Sequence, residues 1–247
     1  MKKLLTLFAL IFALTSCYKA NPDLTPRIVS VSEQSVGKQK FKIMAINTDS
    51  ATVMVVDSAI PDIDDPKICL CVEAAFTGER LDSFKTENVA GKYVTSGKPR
   101  AGYRCAANTG LLCATGSGIT IAPLAKSEPL RRRAVDAGGS LFEQMLLVHN
   151  GEYVYTGSPI DLDEKHIYRA ACICHDGKFA VIQGVTHMTL KTFIDGLMAM
   201  RVRDALYLDM GMGWNYGWYR EKAGDTAELL FRVRSIYQTN WLVVRAK

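Results

Sequence analysis

The sequence lacks closely grouped metal ligands. It contains neither a CxxC pair nor a CxxCH run, and its four histidines are scattered along the chain. They are His149, His166, His175 and His187. Structural zinc sites and c-type haem attachment depend on such closely spaced ligands. We therefore predict no cofactor and no bound metal.

The sequence also lacks a basic tract of the kind that binds nucleic acid. Its formal net charge of +5 includes Lys2 and Lys3, and the three arginines at 131–133 form an isolated run without interleaved aromatic residues. Such a run more often forms a solvated surface. No internal repeat, low-complexity stretch or convincing second linker follows residue 26. We predict a single domain and no nucleic-acid partner.

The first residues have the pattern of a bacterial lipoprotein signal. Lys2 and Lys3 form a positive region, and residues 4–14 form an apolar region too short to span a membrane. The LTSC sequence that ends at Cys17 resembles the lipobox, which implies cleavage before this cysteine and lipidation of its thiol. The alternative is an ordinary secretory signal that ends near a cysteine. We predict a signal peptide at residues 1–17.

The residues after Cys17 predict the compartment and the domain boundary. Tyr18 stands where lipoproteins retained in the inner membrane carry aspartate, so we predict a lipid-anchored envelope protein of the outer membrane. Residues 18–26 are polar and contain proline, which favours a tether. Residues 27–247 then form the folded domain.

The six other cysteines leave two interpretations open. An even number of cysteines outside the cytoplasm permits disulfides. However, Cys69 with Cys71, and Cys172 with Cys174, each lie on one face of a strand-like run. That spacing also suits small, buried apolar side chains.

Strand patterns dominate the domain. Two β-branched runs, at 40–47 and 51–57, predict a hairpin through the turn at 48–50, and the apolar run at 68–76 predicts a central strand. Asn150 followed by Gly151 favours a type I′ hairpin turn, and residues 175–178 predict another hairpin.

One helix is strongly predicted. Thr189 is suited to cap it, and apolar residues recur at helical spacing from Leu190 to Met198. Strands together with helices of this kind predict an α+β fold, a single domain with a large, mostly antiparallel or mixed sheet packed against helices.

The segment ALYLDMGMGWNYGWYRE, residues 205–221, is the most informative for function. A strand-like run ends on Asp209, and a glycine-rich stretch with Gly211 and Trp214 follows. Active sites often lie where a rigid strand opens into such a loop. The aromatic residues suit the apolar face of a sugar, and the alternative is an aromatic core cluster.

The order of motifs around this segment resembles the phosphodiester glycosidases, a family with a member that removes N-acetylglucosamine from a sugar phosphodiester. The matching parts are YRAACIC, HDGKF, QGVTHMTLKTFIDGLM and ALYLDMGMG, and upstream CVEAAFTG, NVAGKYVTSG and CAANTG. The resemblance covers about residues 68–221. Two residues depart from the family pattern: Met210 replaces a glycine and would narrow the pocket, and Glu73 replaces a common asparagine and adds a carboxylate.

The resemblance implies cleavage of a sugar–phosphate bond at the anomeric carbon. Carboxylates stabilise an oxocarbenium-like centre, so Asp209 and Glu73 are candidates for nucleophile or base. Arg169 suits the phosphate oxygens, with a surface or ion-pair role as the alternative. His187, at the start of the predicted helix, is a candidate anion-binding group or general acid, or else only a helix-flanking residue.

The remaining candidate ligand-binding residues are polar or flank the predicted catalytic carboxylate. Together with His187 they form the predicted substrate-binding set: Asn88, Asn108, Thr109, His187, Gly211 and Trp214. Asparagine and glycine also simply make turns, which is the alternative for several of them.

The leading functional hypothesis is an envelope hydrolase that cleaves a sugar-1-phosphodiester, a glycan phosphodiester, at the glycosidic bond. One alternative is a non-catalytic glycan-binding lipoprotein of the same fold, and a weaker one is a structural envelope protein. The predicted partners are a glycan or sugar-phosphate ligand and a membrane, held through the N-terminal lipid.

Overall fold

The computed structural model describes residues 25–155, 164–211, 215–231 and 235–247. Cys17, the predicted lipidation site, and Trp214, a predicted ligand-binding residue, lie outside these ranges. The lipid anchor, most of the tether and the role of Trp214 therefore stay predictions. No helix in the described ranges is long and apolar enough to cross a membrane.

The described residues form mainly β-strands. In chain order the strands are β1 (Val29–Val36), β2 (Gln39–Ile46), β3 (Ala51–Asp57), β4 (Ile68–Glu73), β5 (Lys92–Thr95), β6 (Lys98–Ala101), β7 (Gly110–Thr115), β8 (Gly118–Pro123), β9 (Ser140–Gln144), β10 (Leu146–His149), β11 (Glu152–Tyr153), β12 (Arg169–Cys174), β13 (Phe179–Gly184), β14 (Val202–Leu208), β15 (Gly217–Tyr219), β16 (Glu228–Leu229) and β17 (Asn240–Ala246). The two α-helices in these ranges are α1 (Ser127–Asp136) and α2 (Leu190–Ala199).

The strands form three sheets. The first has seven strands in the order β1-β2-β13-β12-β14-β10-β11. The second has five, β16-β15-β4-β17-β3, and the third has five, β6-β5-β9-β7-β8. Every pairing between these strands is antiparallel. The large sheet is thus antiparallel, without a mixed portion in the described ranges.

The prediction of an α+β fold, with one sheet packed against helices, is wrong. The largest apolar cluster joins side chains of all three sheets, including Leu206 of the first, Val72 of the second and Phe142 of the third. The sheets therefore bury their apolar faces chiefly against one another, as in all-β architectures. A sequence shows which strand faces are apolar, but not whether another sheet or a helix covers them.

The predicted helix is confirmed as α2. The Thr189 hydroxyl accepts the backbone N–H of Thr192 at 3.1 Å, and the apolar stripe of the helix packs on the outer face of the first sheet. At Gly196 the helix lies very close to Phe41 of β2, because a Cβ on this residue would come within 2.1 Å of the Phe41 ring. The glycine that weakens the helix locally therefore permits its packing.

Two of the predicted hairpins are confirmed and one is wrong. Asn150 and Gly151 both have positive φ in the turn between β10 and β11, as a type I′ turn requires. β12 and β13 pair across the second predicted turn. β2 and β3 do not pair, because β2 belongs to the first sheet and β3 to the second. The turn between them instead links two sheets.

The six cysteines in the described ranges are free thiols. Four are buried, and burial raises the pKa of the Cys71 and Cys172 thiols well above the ordinary range. A thiol held neutral in an apolar environment is unreactive. The sequence left disulfides and small apolar side chains as the two interpretations. The structure agrees with the second, because the cysteines are unpaired and most of them are buried.

Candidate active site

Three charged residues meet where strands of the first and second sheets end. Glu73 is the last residue of β4, Arg169 is the first of β12, and Asp209 directly follows β14. β12 and β14 are neighbours, and Arg169 pairs with Leu208, which places Asp209 beside it in the register. Glu73 approaches from the second sheet, so the site lies at the junction of the two sheets. We call Glu73, Arg169 and Asp209 the charged triad.

Arg169 is fully buried and held by contacts on two of its three nitrogens. Its Nε donates to Oε1 of Gln183 at 2.9 Å, and its Nη1 donates to the Tyr216 carbonyl at 3.4 Å. Nη1 also lies 3.6 Å from Oε2 of Glu73, an ion-pair distance. Nη2 is buried and has no hydrogen-bond partner among the described residues.

The Arg169 guanidinium is charged although it is buried in the interior. Burial lowers the pKa of the guanidinium to about 10, against the raising effect of Glu73, so it remains charged at neutral pH. The Phe231 ring lies over it, with its centroid 5.7 Å from the guanidinium carbon. A buried cation with a free donor edge is suited to an anionic ligand.

Glu73 is buried, and its carboxyl group lacks a hydrogen-bond partner among the residues that the structure describes. It is 1% exposed, and within the described ranges neither carboxyl oxygen has a hydrogen-bond partner of normal geometry. Burial raises the pKa of Glu73 well above its ordinary range, Arg169 opposes this shift, and the charge of Asp209 adds to it. Such a group is costly for the fold, which favours a functional role.

Asp209 is held by backbone groups. Its own N–H donates to the Ala74 carbonyl at 3.1 Å, and its Oδ1 accepts the N–H of Gly211 at 3.1 Å. Burial raises the pKa of Asp209 to about 7, against backbone hydrogen bonds from Gly211, Thr77 and Met210 that lower it. A carboxyl group that titrates near neutral pH is suited to proton transfer.

The sequence did not single out several polar residues that shape this site. The Asn240 side chain accepts the N–H of Ala75 at 2.7 Å and donates to its carbonyl at 3.0 Å, which fixes the loop after β4. Tyr207 is buried beside the triad, and burial raises the pKa of its hydroxyl well above normal, with a further contribution from Asp209. Gln183 binds Arg169 directly.

A sequence signal existed for one of these missed residues. Gln183 is the single polar side chain in the otherwise apolar β13, and a polar residue inside an apolar strand needs a partner. Asn240 gives no such signal, because asparagine is common in turns and at the strand ends beside them.

Two of the predicted ligand-binding residues have structural contacts in the described fold. Both ends of the Asn88 amide bind the Glu79 backbone, at 2.8 Å and 2.7 Å. The Thr109 hydroxyl accepts the N–H of Leu146 at 2.9 Å. These side-chain groups brace loops, and a ligand would have to compete with those bonds.

Asn108 differs from them. It is 6% exposed, and neither end of its amide has a hydrogen-bond partner among the described residues. It lies close to Gly91 and Glu143, since a Cβ on Gly91 would be 2.4 Å from Nδ2 of Asn108 and 2.7 Å from Oε2 of Glu143. Within the described part of the chain, the Asn108 amide makes no hydrogen bond to the charged triad.

His187 and Gly211 are both accessible. His187 is exposed at the start of α2, in the described ranges without a contact to the triad. Gly211 is joined to Asp209 through its backbone N–H. Of the two, the structure brings only Gly211 to the carboxylate.

The aromatic residues after Asp209 pack in the core where they are described. Tyr216 and Trp218 are buried with Trp241 in a cluster on the second sheet, and Tyr219 belongs to the main core. Met210, the departure from the family glycine, is buried in the apolar cluster around α2. These side chains support the strand ends that carry the triad.

The described residues contain no group of three or more histidine, cysteine, aspartate or glutamate side chains that could hold a metal ion. The chemistry of the site is therefore argued from the triad itself. Two buried carboxyl groups with raised pKa values and one cation with a free edge permit proton transfer beside a bound anion.

Comparison with known proteins identifies structural neighbours only. No protein-family model matches the chain, and no curated protein matches it. The catalytic domain of zebrafish N-acetylglucosamine-1-phosphodiester alpha-N-acetylglucosaminidase, auto-inhibited by its pro-peptide, has a TM-score of 0.58 and 12% identity, covering 92% of this chain and 85% of that one. A hypothetical protein from Synechocystis has a TM-score of 0.56 and 11% identity, covering 89% of this chain and 62% of that one. At these identities the likeness shows a shared fold: the chain has the fold of that zebrafish catalytic domain.

Proposed function

We propose that this protein is a hydrolase of the phosphodiester glycosidase type, which cleaves a sugar-1-phosphodiester at the glycosidic bond. The observation that carries the proposal is the charged triad, in which two buried carboxyl groups adjoin a buried arginine with a donor edge that the described residues leave unused. The fold shared with a glycosidase catalytic domain supports the same class.

Arg169 binds the anionic part of the substrate. A phosphodiester carries one negative charge, and Nη2 offers N–H groups that the described residues leave unused. The low dielectric of the buried site strengthens this contact over the same contact in water. Because the triad is covered in the described fold, the substrate must displace covering groups such as Phe231 to reach it.

The two carboxyl groups divide the proton transfers between them. Burial raises the pKa of Glu73, which favours its neutral form. In that form it does not repel the phosphodiester and has a proton to donate to the departing phosphate oxygen. Asp209 acts on the anomeric carbon, either as base toward water or as nucleophile. Retention of anomeric configuration would identify a nucleophile, and inversion would identify a base.

The envelope location completes the proposal. A lipid on Cys17 would place the domain at the outer membrane, and a glycan phosphodiester exposed there would be a substrate of the proposed class. The ligand is a glycan or sugar phosphate, and the membrane partner is reached through the N-terminal lipid.

The test is hydrolysis by the purified full chain of a panel of sugar-1-phosphodiesters, with the released sugar measured. We expect cleavage by the parent and its loss in Asp209→Asn. Asp204→Asn is a matched control, because Asp204 is equally buried on β14 but lies at the opposite end of the strand. Full activity in folded Asp209→Asn would remove Asp209 from the mechanism. Binding of glycans without cleavage by the parent would instead favour the non-catalytic glycan-binding lipoprotein.

A further inference from the structure

Gln183 and Arg169 form a buried cross-strand pair. They face each other in the register of β12 and β13, and their side chains meet at 2.9 Å. Both are buried, Gln183 at 6% exposure and Arg169 at 0%. A hydrogen bond to a charged donor in such an environment fixes orientation strongly.

This bond decides which edge of the guanidinium is free. Gln183 occupies Nε, while the Tyr216 carbonyl and Glu73 lie on Nη1. Among the contacts of the described residues, Nη2 alone is left for a ligand. Nη2 packs closely against Gly217, since a Cβ at that position would lie 3.2 Å from Nη2.

Without Gln183 the guanidinium has a competing partner. Glu73 already lies 3.6 Å from Nη1 and has no hydrogen bond of its own within the described residues. A small rotation of Arg169 would make a two-pronged pair with this carboxylate, the most favourable geometry for the two groups. Such a pair would ionise Glu73, engage the free edge and repel an incoming phosphate.

We propose that Gln183 is a positioning residue: by accepting the Nε–H bond, it holds Arg169 away from a two-pronged pair with Glu73 and directs Nη2 to a phosphoryl oxygen. This inference rests on the proposed function, because it assigns the anion-binding edge of the same site. Gln183 itself touches no substrate in this arrangement.

The test separates anion binding from hydrolysis by using inorganic phosphate as the probe. Phosphate affinity of the full chain is measured by calorimetry, and the Arg169 Nε–H is followed by ¹H–¹⁵N NMR, with its signal assigned from its absence in Arg169→Lys. In the parent we expect phosphate binding and an Nε–H signal protected from solvent exchange.

Gln183→Met keeps the side-chain length and removes the acceptor. We expect it to weaken phosphate binding about tenfold and to abolish protection of the Nε–H. Gln238→Met is the matched control, because the Gln238 side chain also accepts one bond at 2.9 Å, from Ile60, without contact to Arg169. Gln183→Glu retains an oxygen acceptor and should retain the protected signal, which provides a second measurement should Gln183→Met not fold.

The outcomes separate the positioning role of Gln183 from the proposed hydrolase function. Parent-like phosphate affinity in folded Gln183→Met, loss of the protected signal in folded Gln183→Glu, or absence of phosphate binding by the parent would overturn the positioning role. Hydrolysis that persists alongside any of these results leaves the proposed function standing. Phosphate binding that depends on Gln183, without hydrolysis of any phosphodiester, would overturn the function and keep the anion site.

Discussion

Replacement of Asp209 by asparagine should make the protein less sensitive to rising pH. The pKa of Asp209 is raised from 3.8 to about 7 in the folded state, so between these values the unfolded chain releases a proton that the folded protein keeps. The parent therefore loses stability as the pH rises through this window. Each unit of pKa difference is worth about 1.4 kcal/mol, which amounts to about 4 kcal/mol in all.

The quantity to measure is the difference in unfolding free energy between Asp209→Asn and the parent, by urea titration at several values from pH 4 to pH 8. Asparagine also loses one acceptor oxygen for backbone N–H groups, but that cost is the same at every pH and cancels. We expect the unfolding free energy of the variant, relative to that of the parent, to increase by about 4 kcal/mol between pH 4 and pH 8.

Asp82→Asn, at an exposed aspartate outside the site, controls for the loss of one carboxylate. A difference between Asp209→Asn and the parent that stays constant across the range would refute the reasoning. It would mean that Asp209 titrates alike in the folded and unfolded chain, and hence that burial does not tune it for proton transfer.

Three further variants test other parts of the molecule. Arg169→Ala should abolish hydrolysis and phosphate binding while circular dichroism stays native, and it should cost about 1–3 kcal/mol in a urea titration, because the buried Gln183 side chain loses its hydrogen-bond partner; a folded variant with parental turnover would exclude Arg169 from the mechanism. Gly196→Ala should destabilise the protein by about 1–3 kcal/mol although alanine favours helices, because its methyl group would overlap the Phe41 ring. Relief by Phe41→Leu in the same chain would confirm the overlap, and a stabilised Gly196→Ala would contradict it. Cys17→Ala should release the protein from membranes or stall its processing, as fractionation would show; a variant that fractionates with membranes like the parent would mean that the anchor lies elsewhere.

Local elements could be predicted from the sequence because their causes are local. The cap at Thr189 and the apolar stripe behind it were sufficient to identify α2, and Asn150 with Gly151 was sufficient to identify a type I′ turn. Asp209 stood out because a strand-like run ended on a carboxylate before glycines. Such patterns reflect backbone preference and alternation of burial within about ten residues.

The tertiary structure alone decided how these elements combine. β2 and β3 are neighbours in the chain, yet each pairs with a distant strand in a different sheet, because strand pairing depends on which apolar faces must be covered. That choice makes the fold three packed sheets instead of one sheet against helices. It also brings Glu73 of the second sheet to 3.6 Å from Arg169 of the first, although 95 residues lie between them in the chain and no local pattern encodes their contact. The sequence by itself identified charged residues in apolar surroundings, whose burial costs free energy. Only the packing of the sheets brought these residues together as a site.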